Sequence, residues 1–246
     1  MKRFGLIGYP LGHSFSKKYF TEKFARENTD SEYELFELRS INDFPALLRS
    51  HQLTGLNVTI PYKEKVIPFL DELDETARKI GAVNVIQFIK NSDSLILKGY
   101  NSDVIGFTQS ILPHIKPAHE KALILGTGGA SKAIDYALQS MNIQTTFVSR
   151  NPTFNQLSYS RLDELILANN LIVINTSPVG MHPHTDECPL IPYEYLTTEH
   201  LLFDVVYNPS ETLFMKKGKE RGAVVLNGEE MLVGQAEAAW RIWTNP

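Results

Sequence analysis

Short apolar runs alternate with amphipathic segments along nearly the whole chain, and the alternation restarts near its middle. Apolar runs bounded by polar turns predict buried strands, whereas apolar residues spaced three and four apart predict helices. Strands that alternate with helices are typical of crossover units on a mostly parallel sheet. In the first half the pattern predicts strands at 4–8, 33–38, 56–60, 83–89 and 95–99, and helices at 16–27, 43–49, 75–80 and 104–112.

The second half begins with a complete strand, turn, helix and strand. The polar segment 90–94 predicts a hairpin, and therefore an antiparallel edge on the first sheet. The proline-containing segment 113–117 suggests a hinge between domains. We therefore expect a two-domain α/β protein. Its second half is predicted to contain strands at 122–125, 145–149, 171–175, 201–206 and 223–226, with helices at 130–141 and 229–243.

Composition and charge limit the function classes that remain. The 246 residues, 43% of them hydrophobic, suffice for two packed units of roughly 100 to 130 residues each. The 24 basic and 28 acidic side chains are well mixed, so no basic face for nucleic acid is expected. The single cysteine, Cys188, excludes an internal disulfide, and no apolar run approaches the roughly 20 residues of a membrane span. We predict a soluble, cytoplasmic protein with no membrane partner.

The segment 57–63 has the most specific local pattern in the chain. Polar and apolar residues alternate in it as in a buried strand, and Pro61 ends that strand just before Lys63. Ligands bind beyond the carboxyl ends of the strands in such sheets, so a lysine there is a candidate proton donor. The alternative is that Lys63 begins an amphipathic helix over 63–70 and is solvated like most lysines.

A glycine-rich turn joins the first strand of the second half to the helix that follows it. The turn consists of Gly126, Thr127, Gly128, Gly129 and Ala130. Glycines at such a turn let backbone amides approach a pyrophosphate, whose charge the helix N-terminus stabilises. Close packing of helix on strand is the alternative, but the complete strand, turn, helix and strand favours dinucleotide binding.

The residues after the next strand, Ser149, Arg150 and Asn151, bear on which dinucleotide is bound. NAD sites usually carry an acidic residue about 20 residues beyond the glycines, where it accepts hydrogen bonds from the ribose. A carboxylate would repel a 2′-phosphate, whereas the Arg150 guanidinium can pair with it. The predicted cofactor is NADP(H), and the alternative is that Arg150 is an ordinary surface arginine.

Small polar residues recur where the strands of the first half end. Together they offer hydroxyl, amide, amine and carboxylate groups, and such a set suits a small polyhydroxylated anion. Individual members could instead cap helices, and Ser14, Asn84 and Asp103 stand where such caps are common. The set comprises Ser14, Ser16, Asn57, Thr59, Lys63, Asn84, Asn101 and Asp103.

These segments, taken together and in order, resemble the shikimate dehydrogenase family. The matching segments are 8–10 with 13–16, Asn-Val-Thr-Ile-Pro-Tyr-Lys at 57–63, Gly-Ala-Val-Asn at 81–84, 99–103, 126–130, Asn-Thr-Ser-Pro-Val-Gly-Met at 175–181, 204–209, and 228–236. Agreement at so many separated sites is far more specific than any one of them. Departures from the usual family pattern at Lys17, Val85, Ser102, Val104 and Ser149 remove none of the functional groups assigned above.

The resemblance implies NADPH-dependent reversible reduction of 3-dehydroshikimate to shikimate, a step towards chorismate and the aromatic amino acids. It implies a substrate domain at 1–104 with the closing helix 231–246, and a Rossmann NADP domain at 105–230. Lys63 and Asp103 would be catalytic. The substrate would be held by Ser14, Ser16, Asn57, Thr59, Asn84, Tyr207 and Gln235. The cofactor would contact the 126–130 turn, Ser149, Arg150, Asn151, Val205 and Gly228, with Glu75 near the nicotinamide.

Several alternatives remain at this point. Quinate differs from shikimate by one hydroxyl and ring saturation, and a polar pocket could accept both. A non-catalytic NADP-sensing regulator would not need both Lys63 and Asp103, and a folate dehydrogenase would need an aromatic slot. The loop 182–188 carries histidine, carboxylate and cysteine side chains, but its spacing favours a polar loop over a metal site, so no metal is expected. The protein is predicted to be a monomer or a homodimer.

Overall fold

The computed structural model describes residues 1–12, 14–90 and 94–244. The chain forms two compact units, one of Met1–Ser102 with Gln235–Pro246 and the other of Asp103–Gly234. The chain thus changes units at the end of the 99–103 motif, and the segment 113–117, where the sequence suggests a hinge, lies inside the second unit. His13 and the centre of the predicted 90–94 hairpin lie outside the described residues.

The first unit is built on a six-stranded sheet with the strand order β2-β1-β3-β5-β6-β4. β1 is parallel to β2 and β3, whereas β5 is antiparallel to both β3 and β6. The predicted antiparallel pair is therefore present, with the two-residue β4 outside it. The elements are β1 (Lys2–Gly8), α1 (Phe15–Arg26), β2 (Ser31–Glu37), α2 (Phe44–Ser50), β3 (Gly55–Val58), β4 (Glu72–Leu73), α3 (Glu75–Ile80), β5 (Val85–Lys90) and β6 (Leu95–Tyr100).

Apolar clusters cover both faces of the first sheet. Alternate residues of its central strands point to opposite sides and so contribute to different clusters. On β1, Phe4 packs into a cluster with aromatic residues of α1 and the end of the chain, while Ile7 packs into the opposite cluster. Trp243 anchors the final helix, since its indole Nε1 donates to Ile86 O at 3.1 Å. Gly55 permits this contact, because a Cβ there would lie 2.4 Å from the Trp243 ring.

The second unit contains a wholly parallel sheet with the strand order β12-β11-β10-β7-β8-β9. The chain leaves the central strand β7 in one direction and later returns to its other side, as in a Rossmann sheet. Its elements are α4 (Asp103–Ile111), β7 (Lys121–Leu125), α5 (Gly129–Ser140), β8 (Gln144–Ser149), β9 (Gln156–Ser158), α6 (Glu164–Asn169), β10 (Ile172–Asn175), β11 (Leu201–Asp204), α7 (Leu213–Glu220), β12 (Val224–Leu226) and α8 (Glu229–Thr244), which continues into the first unit.

The predicted α/β class and most predicted elements are confirmed. The helix over 63–70 is not formed, because the chain there makes successive turns and a short 3₁₀ segment at Ile67–Phe69 that contains Pro68. The predicted strand 201–206 ends at Asp204, whose side chain accepts from the amide of Val206. Within the described ranges, no helix is both long and apolar enough to cross a membrane.

Candidate active site

The topology of the first sheet gathers the predicted polar residues at one edge. β1 and β3 end there, the antiparallel β5 begins there, and β6 ends there again. The strand register pairs Asn57 with Val85, and Val85 with Tyr100. Asn57, Asn84 and Asn101 consequently lie at the ends of neighbouring strands on the same edge, as their positions in the sequence suggested.

Ser14 and Ser16 belong to the connection from β1 into α1. Ser14 is the N-cap of α1, and its Oγ accepts from Lys17 N at 3.4 Å. The capping role considered from the sequence is therefore present. Both serines are half-buried. At the end of β1, Gly8 allows the loop after β3 to approach closely, since a Cβ there would lie 2.4 Å from Thr59 Cγ2.

Asn57 is almost fully enclosed, with 4% of its surface exposed. Its Oδ1 accepts from the Tyr33 hydroxyl at 2.7 Å, and its Nδ2 donates to Asn84 O at 3.3 Å. Burial raises the pKa of Tyr33, while a hydrogen bond with Ser16 acts in the opposite direction. Tyr33 thus joins two predicted substrate residues, although no motif in the sequence singled it out.

Asn84 and Gln235 meet through Ser102. The Asn84 side chain accepts from Ser102 N at 2.7 Å and donates to Ser102 Oγ at 3.0 Å. Ser102 Oγ lies 3.5 Å from Gln235 Oε1 on α8, within the same unit. Ser102 was noticed in the sequence only as a departure from the family pattern, yet it is buried at the centre of this network.

Lys63 follows the strand β3 and its proline, as predicted. It is half-buried, and its carbonyl accepts from Val83 N at 2.7 Å, which ties the lysine backbone to the segment before β5. Thr59 is also half-buried, and its amide donates to Ile7 O at 2.9 Å. Asp103 is the buried first residue of α4, and it opens the second unit. The catalytic pairing of Lys63 with Asp103 stays a prediction.

The glycine turn of the second unit leads from β7 directly into α5. Gly126 adopts φ +122°, and a Cβ there would lie 2.6 Å from Thr176 Oγ1. Gly128 is the N-cap of α5, and within the described part of the chain no side chain caps this helix. A Cβ at Gly128 would meet no described atom within 4 Å. A helix N-terminus without a side-chain cap, preceded by glycines, suits a pyrophosphate.

The segment 149–151 begins where β8 ends, on the strand next to the glycine turn. Ser149 Oγ accepts from Asn151 N at 3.2 Å, and Arg150 is exposed. Burial raises the pKa of Tyr159, and the positive charge of Arg150 acts to lower it. The exposed guanidinium remains accessible to a ligand.

Asp204 organises the loops that follow β10 and β11. It is fully buried; Oδ1 accepts from Asn175 Nδ2 and Val206 N, both at 3.0 Å, and Oδ2 accepts from Thr212 Oγ1 at 2.6 Å. Burial raises the pKa of Asp204 to about 6, although these three hydrogen bonds lower it. Asn175 also accepts from the amide and hydroxyl of Ser177, so one carboxyl group fixes two loops.

The loop after β11 carries two further predicted site residues. Val205 is half-buried and approaches Gly228 so closely that a Cβ on Gly228 would lie 2.2 Å from Val205 O. Tyr207 keeps 36% of its surface exposed, and partial burial raises the pKa of its hydroxyl. The hydrogen bonds of Asp204 to Val206 and Thr212 hold this loop from both ends.

Two other predictions concern Glu75 and the loop 182–188. Glu75 begins α3 in the first unit and is exposed; its Oε1 lies 2.6 Å from Lys79 Nζ, and this ion pair lowers the Glu75 pKa. The loop residues from His182 to Glu187 are exposed. Among the residues with described coordinates, no group of three histidine, cysteine, aspartate or glutamate side chains is arranged to hold a metal ion.

Comparison with known proteins agrees with both units. A family model described as the shikimate dehydrogenase substrate binding domain matches residues 6–86. The shikimate dehydrogenase (NADP(+)) of Methanosphaera stadtmanae is 36% identical over 98% of this chain and 90% of its own length. The chain belongs to the shikimate dehydrogenase family. Similarity at this level extends over nearly the full length of both proteins, and therefore over both units of this chain.

Solved structures of family members have the same architecture. The chorismate mutase/shikimate 5-dehydrogenase fusion protein of Clostridium acetobutylicum superposes with a TM-score of 0.87 at 34% identity, covering 100% of this chain and 92% of that one. Shikimate 5-dehydrogenase from Thermus thermophilus, solved in complex with NADP(H) and shikimate, gives a TM-score of 0.87 at 27% identity, covering 100% and 94%. The Rossmann character of the second unit and the family resemblance are therefore confirmed.

Proposed function

We propose that this protein is an NADP-dependent shikimate dehydrogenase that reversibly reduces 3-dehydroshikimate to shikimate. The observation that carries the proposal is the edge of the first sheet, where hydroxyl and amide side chains and one lysine gather at the ends of four neighbouring strands. Relatives that this chain matches over nearly their whole length are named for the same reaction. A location in the cytoplasm and a monomeric or homodimeric state stay predictions.

The first unit, on this proposal, binds the substrate. A cyclic acid with several hydroxyls offers donors, acceptors and one negative charge, so it needs a polar site of small side chains. The network that links Asn57, Asn84 and Gln235 is already rigid, because its members bond to one another and to the backbone. The proposed substrate ligands are Ser14, Ser16, Asn57, Thr59, Asn84, Tyr207 and Gln235.

The second unit is proposed to bind NADP(H). The lack of a side-chain cap on α5 leaves backbone amides for the pyrophosphate, and exposed Arg150 at the end of β8 can pair with a 2′-phosphate. Ser149, Asn151, Val205 and Gly228 complete this proposed site, with Glu75 as a further candidate. When bound, NADPH supplies the hydride for the carbonyl carbon.

The remaining chemistry is a proton transfer, which we assign to Lys63. The carbonyl oxygen becomes negative as its carbon is reduced, so a protonated Nζ stabilises that charge and then donates its proton. In the opposite direction the neutral amine accepts the proton of the substrate hydroxyl. Asp103 is proposed to orient the Lys63 ammonium group through a charge-assisted hydrogen bond. This assignment rests on their positions in the segments that follow β3 and β6.

The central test is spectrophotometric reduction of NADP and NAD with shikimate and quinate in parallel. We expect the highest kcat/KM with shikimate and NADP. Efficient quinate oxidation would favour the dual-specificity alternative, and activity with neither acid would overturn the proposal.

The role of Lys63 is tested by Lys63→Met, with Lys65→Met as the matched control. Lys65 lies on the same turn but is exposed. Lys63→Met is expected to lower kcat by about 10²-fold or more with a smaller change in KM, because proton transfer contributes mainly in the transition state. Lys65→Met should keep the wild-type kcat. An unchanged kcat in Lys63→Met would refute the assignment.

A further inference from the structure

Tyr33 lies between two proposed substrate ligands without being one itself. It is on β2, opposite Phe4 of β1, and only 4% of its surface is exposed. Asn57 is on β3, opposite Leu6 of β1, so the phenol reaches across the intervening strand on one face of the sheet. Its ring stacks on Phe20 of α1, with centroids 4.7 Å apart and planes 13° apart. The hydroxyl is therefore held in a fixed place.

The hydrogen-bond directions around Asn57 follow from Asn84 O, because a carbonyl oxygen can only accept. The amide nitrogen of Asn57 therefore faces Asn84 O, to which it donates at 3.3 Å. Asn57 Oδ1 then faces Tyr33, and the phenol donates its proton to Oδ1 at 2.7 Å.

A flipped Asn57 amide would be unfavourable at both ends. Its oxygen would face the Asn84 carbonyl oxygen, and the Tyr33 hydroxyl would lose Oδ1 as the acceptor of its proton. Tyr33 and the Asn84 carbonyl therefore fix the same orientation. In that orientation Asn57 Nδ2 has a second hydrogen, for which no partner is found among the described residues.

We propose that Tyr33 is a positioning residue of the substrate site, which fixes the Asn57 amide so that it presents an N–H donor to a substrate oxygen. The inference rests on the proposed function, in which the first unit binds a polyhydroxylated acid. It deepens that function by assigning Asn57 as a donor to a substrate hydroxyl or carbonyl oxygen, and by naming the group that enforces this polarity.

Tyr100 provides a matched control in the same unit. Its hydroxyl donates to Gln87 Oε1 at 2.9 Å, and Gln87 Nε2 donates to Ile242 O at 2.6 Å. Tyr100→Phe therefore removes the same type of tyrosine-to-amide bond as Tyr33→Phe, without contact to the Asn57 side chain. If both tyrosines had only structural roles, the two variants would differ in stability but not in their effect on shikimate affinity.

The experiment measures KM for shikimate, KM for NADP and kcat, with shikimate affinity also determined by isothermal titration calorimetry. Tyr33→Phe is expected to weaken shikimate binding about tenfold, because loss of one oriented hydrogen bond is worth about that factor, with KM for NADP unchanged. Tyr100→Phe should keep wild-type affinity. Equal shikimate affinities in the two variants would overturn the positioning role.

A second variant, Asn57→Asp, tests the donor without altering Tyr33. The carboxylate still accepts from the Tyr33 hydroxyl, but an oxygen replaces the amide nitrogen. Shikimate binding should fall at least as much as in Tyr33→Phe, and wild-type affinity in Asn57→Asp would refute donation by Asn57. A wild-type protein that neither binds nor oxidises shikimate would instead overturn the proposed function, which separates that failure from the failure of the Tyr33 inference.

Discussion

Replacing Asp204 by asparagine is expected to stabilise the second unit at neutral pH. The carboxyl group is fully buried, and burial raises its pKa from 3.8 to about 6 despite three donors. The introduced asparagine would keep an oxygen for Asn175 Nδ2 and Val206 N, and its amide nitrogen could donate to the Thr212 hydroxyl once that group turns to accept. The substitution thus removes the cost of burying a charge while retaining the hydrogen-bonded positions.

The magnitude and the sign of the expected change in the free energy of unfolding follow from proton linkage. Because the folded protein holds this proton more tightly than the unfolded chain, the contribution of Asp204 to stability is fully present below about pH 4. It is lost as the pH rises through about 6. Each pH unit between the two pKa values is worth about 1.4 kcal/mol, so the loss is on the order of 3 kcal/mol. The free energy of unfolding of Asp204→Asn should equal that of wild type near pH 4 and exceed it by about that amount at pH 7.

Urea unfolding at half-unit steps between pH 4 and 8 measures this difference. Trp240 and Trp243, the 2 tryptophans of the chain, belong to the first unit, so their fluorescence reports that unit while circular dichroism reports both. Thr212→Val is a second test. Loss of its hydrogen bond should raise the Asp204 pKa further, so the loss of stability should occur at a higher pH. Identical pH dependence in wild type and Asp204→Asn would refute the reasoning.

Two further predictions concern the cofactor side. Arg150→Gln should lower kcat/KM for NADP about tenfold and leave kcat/KM for NAD nearly unchanged, because the guanidinium is proposed to pair with the 2′-phosphate. Equal losses of kcat/KM with both cofactors in steady-state assays would contradict this role. Gly228→Ala should cost on the order of 2 kcal/mol and raise KM for NADP, because its Cβ would lie 2.2 Å from Val205 O. Gly12→Ala, whose methyl meets no described atom within 4 Å, is the control for thermal unfolding.

The sequence predicted the fold class well because hydrophobic periodicity and turn chemistry are local properties. The strand before Lys63 and the glycine turn before α5 were both identified, since each depends on a few consecutive residues. The short α6 and α7 were not predicted, and neither was the three-residue β9. Their formation depends on packing against the sheet, because isolated helices of six or eight residues are marginal from propensity alone.

The missed site residues share a different property, which is that their partners are distant in sequence. Ser102 bonds to Asn84 and approaches Gln235, which is 133 positions further along the chain. Asp204 was noticed as part of a family motif, but its bond to Asn175 crosses from one strand to the next. Periodicity gives the face of a strand on which a residue lies, but it does not say which polar group meets it from another strand.

Asn57 shows how tertiary contacts narrow the chemistry that a residue predicted from the sequence can offer. The sequence indicates an amide at the edge of a sheet, which could donate, accept or do both. In the folded protein its oxygen accepts from Tyr33 and its nitrogen donates to Asn84 O, so the orientation of the amide is set and one N–H donor remains. Buried polar networks cost free energy when they are incomplete, and this cost makes the orientation of the amide unique. If the proposed function holds, specificity at this edge depends also on residues such as Tyr33 that do not themselves bind the substrate.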